Sequence, residues 1–155
     1  MANELKPILL VDDSEFDVEL TLEAFRENQL ADDMFVLRDG EEALEYLYRE
    51  GRFSGRSEGN PLLVLLDLKM PKVTGLELIR RVKKDPVLIK IPIVVLTTSK
   101  EEQDLQECYR LGANAYVVKP VNFPEFIIAA RKIKDFWITL SQPPPGSVSG
   151  DYLRS

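Results

Sequence analysis

Asp12-Asp13, Asp67, Thr97 and Lys119 are the residues of this chain whose types and placement suit chemistry. Each closes a short apolar run: Ile8–Val11 precedes the acidic pair, Leu62–Leu66 precedes Asp67, Ile91–Leu96 precedes Thr97, and Ala115–Val118 precedes Lys119. Taken singly, most have a plain reading. Asp12-Asp13-Ser14 is a good helix cap, Thr97 a β-branched strand end, and Lys119 a surface lysine. Asp67 is different, because a carboxylate that ends an otherwise apolar run needs a partner. If the runs bring all five together, two carboxylates about 4 Å apart repel by roughly 4 kcal/mol at an effective dielectric near 20. Three must raise a pKa or hold a cation. Oxygen ligands without His or Cys select a hard ion, and a few carboxylates plus waters suit Mg²⁺ better than a full Ca²⁺ cage. Asp67 can then act as a carboxylate nucleophile forming an aspartyl phosphate, with Lys119 and Thr97 on the remaining phosphoryl oxygens.

The elements that must position these residues repeat one rhythm. Five apolar runs, the four above and Met34–Leu37, each lead through a short polar break into a helical pattern. Near-continuous Val, Ile and Leu over four to six residues suits strands buried on both faces. Helix starts are marked by Ser14 before Asp17, Asp39 before Glu42, Thr74 before Glu77, Ser99 before Glu102, and Asn122 before Glu125. In each, a side-chain oxygen can take an orphan N–H while an acid sits in the positive first turn. Val18, Leu22 and Phe25 predict the buried stripe of the first helix; Leu105, Cys108, Tyr109 and Gly112 predict that of the fourth. Strict β–α alternation implies a doubly wound, five-stranded parallel sheet covered by helices, with ligands at the carboxyl ends of the strands. Two segments break the rhythm. Glu50–Asn60, with Gly51, Gly55 and Gly59, reads as a flexible polar loop, and the tail 141–155 reads as disordered after a domain over 1–140.

Composition narrows the chemistry. The chain has 155 residues, no histidine and one cysteine, so Ser-His-Asp sites, His-ligated metals and an internal disulfide are excluded. Cys108 is expected to be a small core residue in a reducing, cytoplasmic setting. Neither a signal peptide nor an 18-residue apolar run is present, so no membrane partner is expected. The net charge of −6 argues against nucleic acid. Other uses of such a sheet lack their key residues. A P-loop motif is absent, Asp12-Asp13 would repel a flavin phosphate, and a haloacid-dehalogenase-type phosphatase wants an acid where Lys69 stands.

These residues resemble the receiver domains of bacterial two-component response regulators over about residues 6–137. Asp12-Asp13 is similar to the family's acidic pair, and Asp67-Leu68-Lys69-Met70-Pro71 with Gly75 to the segment around its phosphorylated aspartate. Thr97-Thr98-Ser99 resembles the hydroxyl switch position, and Leu111 to Pro120 the run ending in the family's lysine. The resemblance implies a flavodoxin-like (βα)5 fold with strand order 2-1-3-4-5. It implies phosphotransfer to Asp67 from a sensor histidine kinase. It implies Mg²⁺ on Asp13, Asp67 and the Lys69 backbone carbonyl, with Asp12 mainly through water. Tyr116 falls at the aromatic switch position, and Pro120 is implied to follow a cis peptide bond. The face of helix four, strand five and helix five is expected to change shape on phosphorylation and to carry a homodimer.

A narrower similarity is to the single-domain regulators that serve bacterial phytochromes. It rests on the long loop before strand three, Leu96–Ser99, Tyr109–Asn114 and Phe136-Trp137; Lys69 departs from that subgroup's more usual Asn. The expectation is a stand-alone, non-enzymatic receiver, since the 18 residues after Trp137 cannot form a helix-turn-helix output unit. Two alternatives stay open: an interaction module that works without phosphorylation, and a small aspartyl-phosphate phosphatase.

Overall fold

A computed structural model of the chain describes residues 4–148. Each apolar run becomes a strand and each capped pattern a helix: β1 (Ile8–Val11), α1 (Glu15–Arg26), β2 (Met34–Leu37), α2 (Gly40–Tyr48), β3 (Leu63–Leu66), α3 (Gly75–Lys84), β4 (Ile93–Thr97), α4 (Glu102–Leu111), β5 (Ala115–Val118) and α5 (Phe123–Ile133). All strands are parallel, in the order β2-β1-β3-β4-β5. The expected flavodoxin-like topology is therefore the observed one.

Strand side chains alternate between two buried layers, as the period of two requires. Leu9, Val11, Val64, Leu66, Ile93 and Val95 pack with Ala43, Leu78, Ile79 and Cys108 of α2, α3 and α4. Ile8, Leu10, Leu63, Leu65, Val94 and Leu96 pack with Val18, Phe25, Phe126 and Ala130 of α1 and α5. With both faces covered, the three central strands have no solvent face, which is why they read as unbroken apolar runs.

Four of the five expected caps form. The side chains of Ser14, Asp39, Thr74 and Asn122 accept from the backbone N–H groups of Asp17, Glu42, Glu77 and Glu125. Ser99 does not. The α4 N-cap is Glu101, without a side-chain cap bond, because the Ser99 hydroxyl is engaged with Asp104 at 2.6 Å. The expected α4 stripe is also narrower than its apolar pattern. Cys108 is buried, whereas Leu105 and Tyr109 are exposed, because α4 covers only the margin of the sheet.

Among the described residues, both rhythm-breaking segments make tertiary contacts. Within 50–60, Gly51–Phe53 forms a 3₁₀ turn, Phe53 packs edge-on against Phe35 and Tyr46, and Arg56 and Asn60 are buried. The tail expected to be disordered is placed as far as Val148. α5 continues through a π-helical stretch, Lys134–Leu140. Ser147 then bridges to Asn60, and Val148 packs against both core layers. The rest of that tail, residues 149–155, lies outside the described residues.

Candidate functional site

Register delivers the expected residues to one rim. Val11 pairs with Leu66, Leu66 with Val95, and Thr97 with Val118, so Asp12, Asp67, Thr97 and Lys119 emerge side by side. The ladder continues past the strands, with Asp67 N–H donating to Val11 O at 2.9 Å and Lys119 N–H to Thr97 O at 2.7 Å. One ligand oxygen each from Asp12, Asp13 and Asp67 falls within a mutual 4.8 Å. The three carboxylates expected to converge do so.

Their environments differ. Asp12 is buried; its Oδ2 accepts from Lys119 Nζ at 2.8 Å and its Oδ1 from Ser14 N–H at 3.0 Å. The Lys119 ammonium, also buried, reaches Asp17 at 3.5 Å as well. Burial works against its charge, but Asp12, Asp67 and Asp17 together hold its pKa above the ordinary lysine value. Asp13 is exposed and Asp67 only partly buried. Burial, then the Asp12 charge, push the Asp67 carboxyl up to about 6 against the opposing pull of Lys119, the Thr97 hydroxyl and the Leu68 N–H. A carboxylate under that pressure beside two others is a ready ligand for a divalent cation, and the all-oxygen donor set fits Mg²⁺.

The loop after β3 is shaped around the site. Gly75 N–H donates to Leu68 O at 3.0 Å. A Cβ on Gly75 would lie 2.6 Å from Asp67 O and 2.7 Å from Leu68 Cα, so only glycine lets α3 start this close to Asp67. Lys69 is exposed and, with Asp13, Met70, Thr74 and Asp104, lines an open cavity of about 540 Å³.

On the far side of Thr97, its hydroxyl accepts from Ser99 N–H at 3.3 Å, and Tyr116 donates its hydroxyl to Ser99 O at 3.0 Å. The expected switch pair is thus joined through Ser99. One expectation fails: there is no cis peptide bond among the described residues, so the Lys119–Pro120 bond is trans. That is the ordinary X–Pro preference, by about 0.5–1 kcal/mol, and Lys119 Nζ still reaches Asp12.

Sequence reasoning missed three participants. Asp17 reads in the sequence only as a capping acid; its position in the first turn of α1, facing the strand ends, is the signal for a second Lys119 partner. Asp104 carries the same signal on α4. Gly40 packs so closely that a Cβ would meet Val73 O at 2.3 Å, and its place directly after the Asp39 cap is the only clue in the sequence.

Comparison with known proteins settles the family. The model of the response regulator receiver domain matches residues 8–131. The chain belongs to the response regulator receiver domains. It is 36% identical over 137 residues to Response regulator Rcp1 of Synechocystis sp., covering 88% of this chain and 92% of Rcp1. A structure of the Mn²⁺-bound form of Rcp1 superposes with a TM-score of 0.80. The phosphorylated cyanobacterial phytochrome response regulator RcpA gives a TM-score of 0.82 at 37% identity, over 90% of this chain and 98% of RcpA. Bacteriophytochrome response regulator RtBRR is 53% identical, over 92% of this chain and 86% of its own, with a TM-score of 0.73. This receiver domain therefore has phytochrome-associated homologues, as expected. Among the described residues, no helix is long and apolar enough to cross a membrane.

Proposed function

We propose that this receiver accepts a phosphoryl group on Asp67 from the phosphohistidine of a sensor kinase, with Mg²⁺ as cofactor. The observation that carries the proposal is the convergence of Asp12, Asp13 and Asp67 beside a buried Lys119. An Asp67 carboxylate oxygen attacks phosphorus as the P–N bond to the kinase imidazole breaks, and the imidazole leaves with its proton. Lys119 Nζ, oriented by Asp12 and Asp17, and the Thr97 hydroxyl meet the transferred oxygens. Asp13, Asp67 and the Lys69 carbonyl would hold Mg²⁺, with Asp12 reached through water. When bound, the cation neutralises charge that builds between the carboxylates and the phosphoryl group. This chain has no histidine of its own, so the imidazole must come from a partner.

The partner has a surface to meet. Val121, 96% exposed, lines a cavity of about 340 Å³ together with Asp17, Leu20, Lys119 and Phe126, and Phe16 at the start of α1 is 71% exposed. A kinase helix laid against α1 and the β5–α5 loop would bring its phosphohistidine over Asp67. The homologues favour a bacterial phytochrome as that kinase. The output is protein association, with the homodimer assigned to the α4–β5–α5 face, where Leu105 and Tyr109 are exposed.

A small phosphodonor with Mg²⁺ is expected to add one phosphoryl group to the wild type and none to Asp67→Asn. Labelling that persists in Asp67→Asn, or without a divalent cation, would overturn the assignment. Sedimentation of the fully phosphorylated protein checks the dimer, and a monomer at high concentration would refute it.

A further inference from the structure

The end of the sheet opposite Asp67 holds a second concentration of charge. Arg56, in the 50–60 segment, is 2% exposed. Its guanidinium donates to the carbonyls of Tyr46 at 2.9 Å, Ser57 at 2.9 Å, Gly59 at 3.1 Å and Leu47 at 3.5 Å, and sits 4.9 Å from the centre of the Tyr46 ring. Two of those carbonyls belong to the last turn of α2, where a cation is favoured. Anchoring the loop explains the hydrogen bonds but leaves the charge. All four acceptors are neutral, and buried charges are ordinarily paired with opposite ones.

The surroundings add to the imbalance. Burial is the main influence against the Arg56 cation, Tyr46 partly offsets it, and the like charge of Arg49 adds to it. Arg49 and Lys90 line the same cavity of about 320 Å³ as Arg56. Of two acids close by, Asp85 lines the cavity and Glu58 stands at its edge, so three cations face one carboxylate inside it, and neither acid pairs with Arg56. Asp85 is occupied, its Oδ1 accepting from the N–H groups of Val87 at 2.8 Å and Leu88 at 3.0 Å. Glu58 only approaches Arg49, at 3.7 Å, with its side chain 87% exposed. The walls are already formed. Asn60 N–H binds Gly146 O at 2.9 Å and Val148 N–H binds Asn60 O at 2.7 Å, which holds Pro145 and Gly146 against the opening opposite Val87. Its volume lies at the lower end of the range of small-molecule sites.

We propose that this cavity binds a small organic oxyanion, a carboxylate or a phosphate monoester, through Arg49, Arg56 and Lys90. The proposal is independent of Asp67 chemistry, and it gives the 50–60 segment and residues 144–148 a ligand to enclose.

The test is an amide NMR titration of the full chain with benzoate and, separately, phenyl phosphate, without divalent cation and at constant ionic strength. Saturable shifts are expected at residues 47–60, 87–90 and 146–148, half-complete at about 1 mM. Saturation by one probe alone identifies the headgroup, and saturation by both leaves the shared oxyanion chemistry. Arg49→Asn, which suits the left-handed backbone of that position (φ 58°), is expected to weaken binding about tenfold. Glu58→Gln removes the loosely held internal competitor and is expected to tighten it roughly threefold. A purely structural Arg56 predicts neither change. Shifts that grow linearly with both probes, or an affinity unaltered in Arg49→Asn, would overturn the proposal.

Discussion

Replacing Asp67 with Asn is expected to stabilise the protein when divalent cations are absent. The Asp67 carboxyl sits at about 6 against an ordinary 3.8, with burial the largest cause and the Asp12 charge the next. That difference makes ionising Asp67 cost about 3 kcal/mol more in the folded chain than in the unfolded one. Asn keeps the shape and one carbonyl acceptor for the Leu68 N–H but carries no charge, so about 2–3 kcal/mol should be recovered. For a domain of this size that is roughly 5–10 °C in Tm. The sign of the pH dependence follows from a folded pKa raised above the unfolded one. Wild-type stability relative to the variant is full below about pH 4 and is lost as pH rises through about 6. The two proteins should therefore unfold alike near pH 4 and diverge up to about pH 7.

Mg²⁺ should then close the gap at neutral pH. A cation at 100 times its Kd contributes about 2.7 kcal/mol to the form that binds it, and the wild type has the extra carboxylate. Thermal unfolding followed by circular dichroism, at matched pH with and without Mg²⁺, reads all of this. An Asp67→Asn protein no more stable than wild type at pH 8 without divalent cation would refute the reasoning. So would a stability gap that does not change with pH.

Lys119→Met strands the buried Asp12 carboxylate, whose ammonium partner lies at 2.8 Å; urea denaturation should show a loss of about 3–5 kcal/mol, partly restored by adding Asp12→Asn. Gly75→Ala forces a Cβ to within 2.6 Å of Asp67 O; about 1–3 kcal/mol of stability should be lost, together with most of the phosphodonor labelling.

What could be read in advance was whatever depends on local pattern. Strands buried on both faces announce themselves as apolar runs, so β1 falls where Ile8–Val11 predicts, and the half-buried edge strand β5 carries a similar run over Ala115–Val118. Once the sheet is parallel, the residues ending the runs must share a rim, and Asp12, Asp67, Thr97 and Lys119 do. Three of the failures are long-range. Glu50–Asn60 looks like a solvated loop because nothing local shows that Arg56 will be buried under main-chain carbonyls. Residues 144–148 look like part of a disordered tail because their placement depends on Asn60, far back in the chain. The α4 stripe overstates burial because periodicity gives the direction of an apolar face but not how much sheet remains for it to cover.

Ser99 shows best why such a miss matters. As an N-cap it would have been a local feature of α4. It is instead a meeting point for three elements: its N–H goes to the Thr97 hydroxyl at 3.3 Å, its own hydroxyl to Asp104 of α4 at 2.6 Å, and its carbonyl to Tyr116 of β5 at 3.0 Å. The first bond is the longest, and N–H···O bonds weaken beyond about 3.2 Å. A small movement of Thr97 toward a group on Asp67 breaks it, while the tighter Asp104 and Tyr116 bonds keep the rest of the loop tied to α4 and β5. Ser99 is nearly buried, so an N–H released there must find a new acceptor, and the loop has to move to supply one. In the proposed phosphotransfer this would couple a charge change at the rim to a displacement of the α4–β5 face, with Ser99 as the joint between them.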